Sequence, residues 1–86
     1  MTEFKTWRDI MDWADRGGYK RMAKRMAINN ACWKSSGEFG RSQVAICDAM
    51  RFADSEDERV RIAEDIEASL EGDYLVNNWE GEENGK

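Results

Sequence analysis

The stretch from Ser55 to Gly72 carries the clearest helix signals in the chain. The Ser55 hydroxyl can accept a hydrogen bond at the helix start, and Glu58, three residues later, completes the pattern of a capping box. Gly72 is the residue type that commonly ends a helix in the left-handed conformation. We therefore predict an amphipathic helix, whose inward side chains are Val60, Ile62, Ala63, Ile66 and Leu70.

The charge of the chain changes sign where this helix begins. Residues 1–53 contain ten Lys or Arg and six Asp or Glu, whereas residues 54–86 contain three and twelve. The formal net charge of −5 therefore combines a mildly basic N-terminal part with a strongly acidic C-terminal part. A division of this kind indicates binding to a charged partner more than it indicates catalysis.

The outer side of the predicted helix carries a stripe of carboxylates. Asp57, Glu64 and Glu71 recur every seven residues, and Glu67 lies next to them. Arg61 lies three or four residues from several acidic side chains, and we expect it to hold them in a fixed pattern by ion pairs. Two interpretations remain open, because the stripe is either a solvated face or a surface that binds a partner.

The periodicity of the remaining chain predicts an all-α fold, a compact small bundle of about four helices. Helices are expected over residues 2–16, 19–33 and 42–53, with a loop at residues 34–37. Thr2 is the expected cap of the first helix. The apolar side of that helix is expected in the core, and it consists of Phe4, Trp7, Ile10, Met11 and Ala14.

Trp13 lies at the margin of the apolar side of the first helix, about 60° beyond Ile10 at 100° per residue. Tryptophan is a favoured residue at binding hot spots. Trp13 is therefore a candidate aromatic anchor for a partner.

The third predicted helix, residues 42–53, is apolar around most of its circumference. A helix of this kind is expected at the centre of a bundle. Ala45, Ala49 and Ala53 recur every four residues and offer a flat strip for the close approach of another helix. If the monomer leaves part of this surface uncovered, a homodimer would cover it.

The chain is long enough for one domain with a modest core. We predict that residues 1–79 form this domain and that residues 80–86 form a flexible acidic tail. Residues 73–79 mix β-branched, aromatic and polar side chains, so a short helix and an extended segment remain open. In either form we expect the apolar side chains of this segment to pack over the bundle, namely Tyr74, Leu75, Val76 and Trp79.

The chain contains no histidine, which removes the most frequent general base and metal ligand. Two cysteines, Cys32 and Cys47, are too few for a disulfide framework, and we expect them to be reduced and buried. The sequence has neither a phosphate-binding glycine loop nor a calcium loop. We therefore predict a protein that is not an enzyme, with no catalytic residues, no metal site and no cofactor.

No apolar run approaches the roughly 20 residues of a membrane span. The N-terminal residues lack the basic start and apolar stretch of a signal peptide. We expect a cytoplasmic location and no membrane partner.

The second predicted helix carries the one basic patch of the chain, which consists of Lys20, Arg21, Lys24 and Arg25. A basic patch raises nucleic acid as a partner. Direct nucleic-acid binding is nevertheless the weaker expectation, because the acidic charge of the whole molecule repels DNA.

The span Met22–Trp33 resembles the helix-turn-helix of small repressors. Ala23 would be the small residue of the first helix, and Met26 and Ile28 its inward apolar positions. Trp33 would be the inward residue of the recognition helix, and Ala27 stands where many members have glycine. The resemblance implies a small DNA-binding regulator.

Three functions therefore remain open. The first is a non-enzymatic module that binds a basic surface of another protein through carboxylates that imitate nucleic-acid phosphates, namely Asp57, Glu64, Glu67 and Glu71. Small acidic helical proteins of this kind are typical of phage-encoded inhibitors, including anti-CRISPR and anti-restriction proteins. The second is the DNA-binding regulator, and the third is a helical adaptor or oligomerisation module.

Overall fold

The computed structural model describes residues 4–37 and 40–79, and every regular element in these ranges is an α-helix. The predicted all-α bundle is therefore confirmed. No helix within these ranges is long and apolar enough to cross a membrane. The tail predicted for residues 80–86 lies outside the described residues. The helices are α1 (Trp7–Arg16), α2 (Lys20–Ser36), α3 (Arg41–Arg51), α4 (Glu56–Ser69) and α5 (Tyr74–Asn78).

Helix α2 occupies the centre of the bundle, where it packs against α1, α3, α4 and α5. Its inward side chains Met22 and Met26 are completely buried. They share one core cluster with Ile10 of α1, Met50 of α3 and Ala63 of α4. Methionine fills irregular gaps because its side chain is unbranched and adaptable, which suits a helix with neighbours on several sides.

The prediction that the third helix is central is wrong. Val44 of α3 is 49% exposed, and Phe52, which ends the helix, is 78% exposed. The apolar circumference of this helix is partly made of alanines, whose small side chains gain little from burial. Helix α3 therefore buries one side only, through Gln43, Ile46, Cys47 and Met50.

Helix α1 begins later than predicted, because Thr6 and Asp9 form a complete capping box. The Asp9 amide donates to the Thr6 hydroxyl at 3.4 Å, and the Asp9 carboxylate accepts from the amides of Thr6 at 3.1 Å and Lys5 at 2.9 Å. These bonds satisfy the N–H groups at the helix start. The predicted cap, Thr2, lies outside the described residues, and Phe4 precedes the helix.

The Asp9 carboxylate makes the start of α1 sensitive to pH. Hydrogen bonds from the backbone of Lys5 and Thr6 hold the pKa of Asp9 below its ordinary value of 3.8. A carboxylate with a lowered folded pKa stabilises the fold above its unfolded pKa, and this contribution is lost as the pH falls through the folded pKa. We therefore expect Asp9→Ala to destabilise the protein near neutral pH, with a difference from wild type that shrinks below pH 3.8.

Thermal unfolding followed by circular dichroism at neutral and acid pH checks this prediction. Asp12→Ala is the control, because Asp12 is an exposed carboxylate of the same helix. A difference between wild type and Asp9→Ala that is equally large at both pH values would contradict the role given to the carboxylate.

Helix α2 is one continuous helix of 17 residues, so the span Met22–Trp33 contains no turn. The resemblance to a helix-turn-helix is therefore wrong as a description of this segment. Residues 34–36, predicted as loop, form its last turn, where the hydroxyls of Ser35 and Ser36 donate to the Cys32 carbonyl. Gly37, with φ of 86°, then ends the helix in the left-handed conformation that favours glycine.

Helix α4 begins at the predicted place, with the Ser55 hydroxyl accepting from the Glu58 amide at 3.2 Å. The predicted capping box is only half formed, because the Glu58 carboxylate does not accept from the Ser55 amide. Its end differs from the prediction, because the helix stops at Ser69 and Gly72 does not have a positive φ. The Leu70 amide bonds to the carbonyls of both Ile66 and Glu67. The last carbonyls are therefore satisfied by a tightened final turn, and no left-handed residue is needed.

The segment left open by the sequence forms the short helix α5. The Asp73 carboxylate caps it by accepting from the Val76 amide at 3.0 Å. Only part of its apolar set packs over the bundle, since Val76 is buried whereas Tyr74 and Leu75 are exposed. Five residues cannot turn every apolar side chain inward, because side chains follow each other by 100° around a helix.

Candidate functional site

The outer side of α4 carries four exposed carboxylates, which we call the acidic face: Asp57, Glu58, Glu64 and Asp65. They occupy two adjacent pairs separated by two helical turns. Within the described part of the chain, none of these carboxylates has an ion pair or a hydrogen bond. Their negative charge is therefore directed to solvent or to a partner.

Arg61 lies within the acidic face and is exposed. It forms no ion pair across residues 4–37 and 40–79, so the prediction that it fixes the neighbouring carboxylates is wrong. An exposed ion pair gains little in water and requires two long side chains to be held still. The carboxylates are positioned by the helix backbone.

Glu71 belongs to the edge of this surface. It is exposed, but it follows the end of α4, in the turn before α5. Its backbone carbonyl accepts from the Asn77 side chain at 3.2 Å. The seven-residue spacing on one helix therefore applies to Asp57 and Glu64, but not to Glu71, which lies beyond the end of α4.

Glu67 points into the fold, away from the acidic face. Its two carboxylate oxygens accept from the backbone amides of Arg21 at 3.1 Å and Met22 at 3.0 Å, in the first turn of α2. The Arg21 guanidinium also donates to it, at 3.3 Å. Tyr19, the residue before α2, provides no side-chain cap. Glu67 therefore caps the central helix from across the bundle, and it is not available as a partner-binding residue.

Trp13 is also engaged within the fold. Its ring stacks on Tyr19 with centroids 5.6 Å apart and meets Phe4 edge-on at 6.2 Å. Its indole N–H donates to Glu56 at 3.0 Å. The half-buried Trp13 therefore joins α1 to the starts of α2 and α4, which does not support its prediction as a free aromatic anchor.

Arg59 is a buried arginine that the sequence reasoning missed. It is 7% exposed, and its Nε donates to the Met50 carbonyl at 3.3 Å while its guanidinium pairs with Glu56 at 3.1 Å. The guanidinium also lies 5.2 Å from the centre of the Phe4 ring. Arg59 thereby places positive charge at the C-terminal end of α3, where the helix dipole favours it.

Ion pairs within the fold neutralise most of the basic patch. The three pairs are Lys20–Asp15 at 2.9 Å, Arg21–Glu67 at 3.3 Å and Arg25–Asp73 at 3.7 Å. The fourth basic residue, Lys24, is half-buried. A patch whose cations already have carboxylate partners has little free charge for nucleic-acid phosphates.

The positions of Arg59 and Glu67 around the helix already indicated that both side chains contact the bundle. At 100° per residue, Arg59 falls between Ile66 and Ala63 on the apolar side of α4. Glu67 falls 40° from Ala63 and 60° from Glu64, which places it at the boundary between the buried and exposed sides. Their charge suggested an outward direction, but their positions indicated contact with the bundle.

The cysteines differ from each other in the fold. Cys32 is exposed, contrary to prediction, whereas Cys47 is buried as expected. Burial raises the pKa of the Cys47 thiol, which keeps it protonated and unreactive. Among residues 4–37 and 40–79, no three His, Cys, Asp or Glu side chains are grouped to hold a metal ion.

No protein-family model, no curated protein sequence and no solved structure matches this chain.

Proposed function

We propose that this protein is a non-enzymatic binding module whose acidic face docks on a basic surface of another protein. The observation that carries the proposal is the exposure of Asp57, Glu58, Glu64 and Asp65 without partners in the described chain. The other charged candidates, Glu67 and three cations of the basic patch, are bound within the fold.

The acidic face concentrates negative charge along a short length of helix, and this charge suits a surface that normally binds nucleic acid. Asp57 and Glu64 lie seven residues apart, or roughly 10 Å at 1.5 Å per residue. Duplex DNA presents one negative charge per roughly 1.7 Å of its axis, with condensed counterions. A rigid helix with several carboxylates can replace part of this charge on a basic surface and compete with the nucleic acid for it.

The specific form of the proposal is an inhibitor of the phage-encoded type, such as an anti-CRISPR or anti-restriction protein. Its support is general, since it consists of the small size, the acidic charge and the helical build. The physical prediction is that the target has a basic surface and that the acidic face binds to it.

The DNA-binding regulator has little support, because its basic patch is largely paired and α2 contains no turn. The oligomerisation module has one observation in its favour, which is the open side of α3 with Val44 and Phe52. It is compatible with the acidic-face proposal, because α3 and the outer side of α4 are different surfaces.

Charge reversal on the acidic face tests the proposal. The partner is first captured from the native host with the wild-type protein, identified by mass and purified. We expect Asp57→Lys or Glu64→Lys to weaken its binding several-fold, and the two together to weaken it by at least about tenfold, because they replace attraction by repulsion across the interface. Calorimetric titration of the purified pair gives the dissociation constants.

Asp12→Lys is the matched control, since it makes the same charge change at an exposed position of α1. Circular dichroism establishes that each variant keeps its helicity. If the double variant binds the partner as tightly as the wild type and the Asp12→Lys control do, the acidic face is only a solvated surface.

A further inference from the structure

We propose that the open side of α3 is the interface of a weak homodimer. Two copies pack this helix antiparallel across a two-fold axis, with Asp48 of each copy paired with Arg51 of the other. This proposal gives the oligomerisation alternative a specific geometry, and it does not depend on the function proposed for the acidic face.

The first observation is the apolar surface that α3 leaves in water. Phe52 is 78% exposed and Val44 is 49% exposed, and Ala45 beside them is exposed as well. Covering an exposed aromatic or branched side chain is favourable, because it removes apolar area from water. Phe52, which follows the last residue of α3, is the most exposed large apolar side chain among the described residues.

The second observation is a pair of charges on the same side of the helix. Asp48 and Arg51 are both exposed, and neither has an ion pair in the part of the chain that the structure describes. Across a two-fold axis, a contact of residue i with residue j is repeated as a contact of j with i. One antiparallel register therefore forms the Asp48–Arg51 ion pair twice.

The same register also places large side chains against small ones. When Asp48 lies opposite Arg51 of the second copy, Phe52 lies at the level of residue 47 on the facing helix. The outward side chains beside that level are Ala45 and Ala49, which leave room for an aromatic ring. In this register the acidic Asp48 faces the basic Arg51, and the large Phe52 faces small alanines. Because the surface is complementary to itself, the occupant that fits it is a second copy of the chain.

The other exposed apolar pair is less suited to a second copy. Tyr74 and Leu75 of α5 lie beside the carboxylates of Glu71 and Asp73. Asp73 is already paired with Arg25, so a two-fold contact there would bring the two Glu71 carboxylates together, and such like-charge contacts are unfavourable. Leu75 therefore serves as the control position.

The dimer is expected to be weak. Helix α3 has 11 residues and is about 16 Å long. With Asp48 opposite Arg51, residue i faces residue 99 − i, so the two copies of α3 overlap only over residues 48–51 and Val44 lies beyond the end of the facing helix. A contact this short buries much less than the roughly 1,200 Å² that is typical of stable specific interfaces. Association is therefore expected only at micromolar concentrations or above.

Sedimentation equilibrium of the full chain in physiological salt, from low micromolar to near-millimolar concentration, tests the proposal. We expect a monomer–dimer equilibrium whose dissociation constant rises about tenfold or more in Phe52→Glu and is unchanged in Leu75→Glu. A monomer at all concentrations would overturn the proposal. A dimer that Leu75→Glu weakens and Phe52→Glu leaves intact would also overturn it.

A charge swap tests the register itself. Asp48→Arg and Arg51→Asp are each expected to weaken the dimer, and the double variant to restore it, because the ion pair reforms with exchanged partners. Asp48→Arg alone makes the molecule less acidic, so association governed by net charge would become stronger in that variant. Strengthening by Asp48→Arg, or a double variant as weak as the single ones, would refute this geometry.

Discussion

Replacing Glu67 with alanine is expected to lower the free energy of unfolding by about 2–3 kcal/mol. Its carboxylate accepts from the amides of Arg21 and Met22 at 3.1 and 3.0 Å, and no side chain of the N-cap residue can replace it. The substitution leaves two part-buried N–H groups without acceptors at the start of the central helix. It also removes the acceptor for the Arg21 guanidinium. Charge-assisted bonds of this kind are stronger than neutral ones.

Urea unfolding followed by circular dichroism measures this effect. Glu64→Ala is the matched control, because Glu64 lies on the same helix with its carboxylate in solvent, and its effect is expected to stay within about 0.5 kcal/mol. Glu67→Gln, which keeps one acceptor oxygen, should fall between the two. If Glu67→Ala and Glu64→Ala are equally mild, the cap across the bundle contributes little and the carboxylate is free to serve another role.

Arg59→Ala is expected to cost about 2–3 kcal/mol of unfolding free energy. The substitution removes the donor to the Met50 carbonyl at the end of α3 and the guanidinium that packs over Phe4. It also leaves space where the buried stem of the side chain lay. Glu56, the ion-pair partner, is exposed enough to be solvated in the variant, so an unpaired buried charge does not add to the cost.

Arg61→Ala is the control for this prediction, since Arg61 is an exposed arginine two residues further along α4. Its effect should stay within about 0.5 kcal/mol. Arg59→Lys is expected to be intermediate, because lysine keeps the charge but lacks the planar, multiply donating guanidinium. Equal unfolding free energies for the alanine variants at positions 59 and 61 would contradict the structural role of Arg59.

The helix content was predictable from sequence because it depends on local patterns. Ser55 caps α4 as its hydroxyl and the following acidic turn indicate, and the apolar periodicity of α1 and α2 correctly identifies Ile10, Met22 and Met26 as core. The helix boundaries were less predictable. The cap of the first helix was expected at Thr2, whereas Thr6 and Asp9 form the capping box at the start of α1.

The arrangement of the helices was not predictable from residue types alone. An apolar circumference suggested that α3 is central, but α2, with its large methionines, is the helix that contacts all the others. Which helix is central depends on how much area each side chain buries across the whole bundle. A single helical wheel does not contain that information.

The candidate site was predictable in its location and only partly in its members. Asp57 and Glu64 lie on the exposed side of α4 as expected, whereas Glu67 caps α2 and Glu71 lies beyond the helix end. Glu58 and Asp65 complete the face. Charge alone does not distinguish a carboxylate that faces solvent from one that accepts amides of a neighbouring helix, because both are acidic residues on the same element.

Some carboxylates of α4 contact the bundle and others face solvent, and this difference has a functional consequence. Glu56 and Glu67 hold the helix onto the bundle through Trp13 of α1 and the start of α2. The acidic face is therefore carried by a helix that is fixed at both ends. A rigid array of charge loses little entropy on binding, which favours affinity for a complementary basic surface.

Competition between this protein and nucleic acid tests the central claim most directly. A labelled DNA duplex is bound to the purified partner, and displacement is followed by fluorescence anisotropy as the protein is added. The wild type and Asp12→Lys are expected to displace the duplex, and Asp57→Lys/Glu64→Lys to fail at the same concentrations. Equal displacement by the double variant, or simultaneous binding of duplex and wild-type protein, would contradict the claim that the acidic face occupies a nucleic-acid-binding surface.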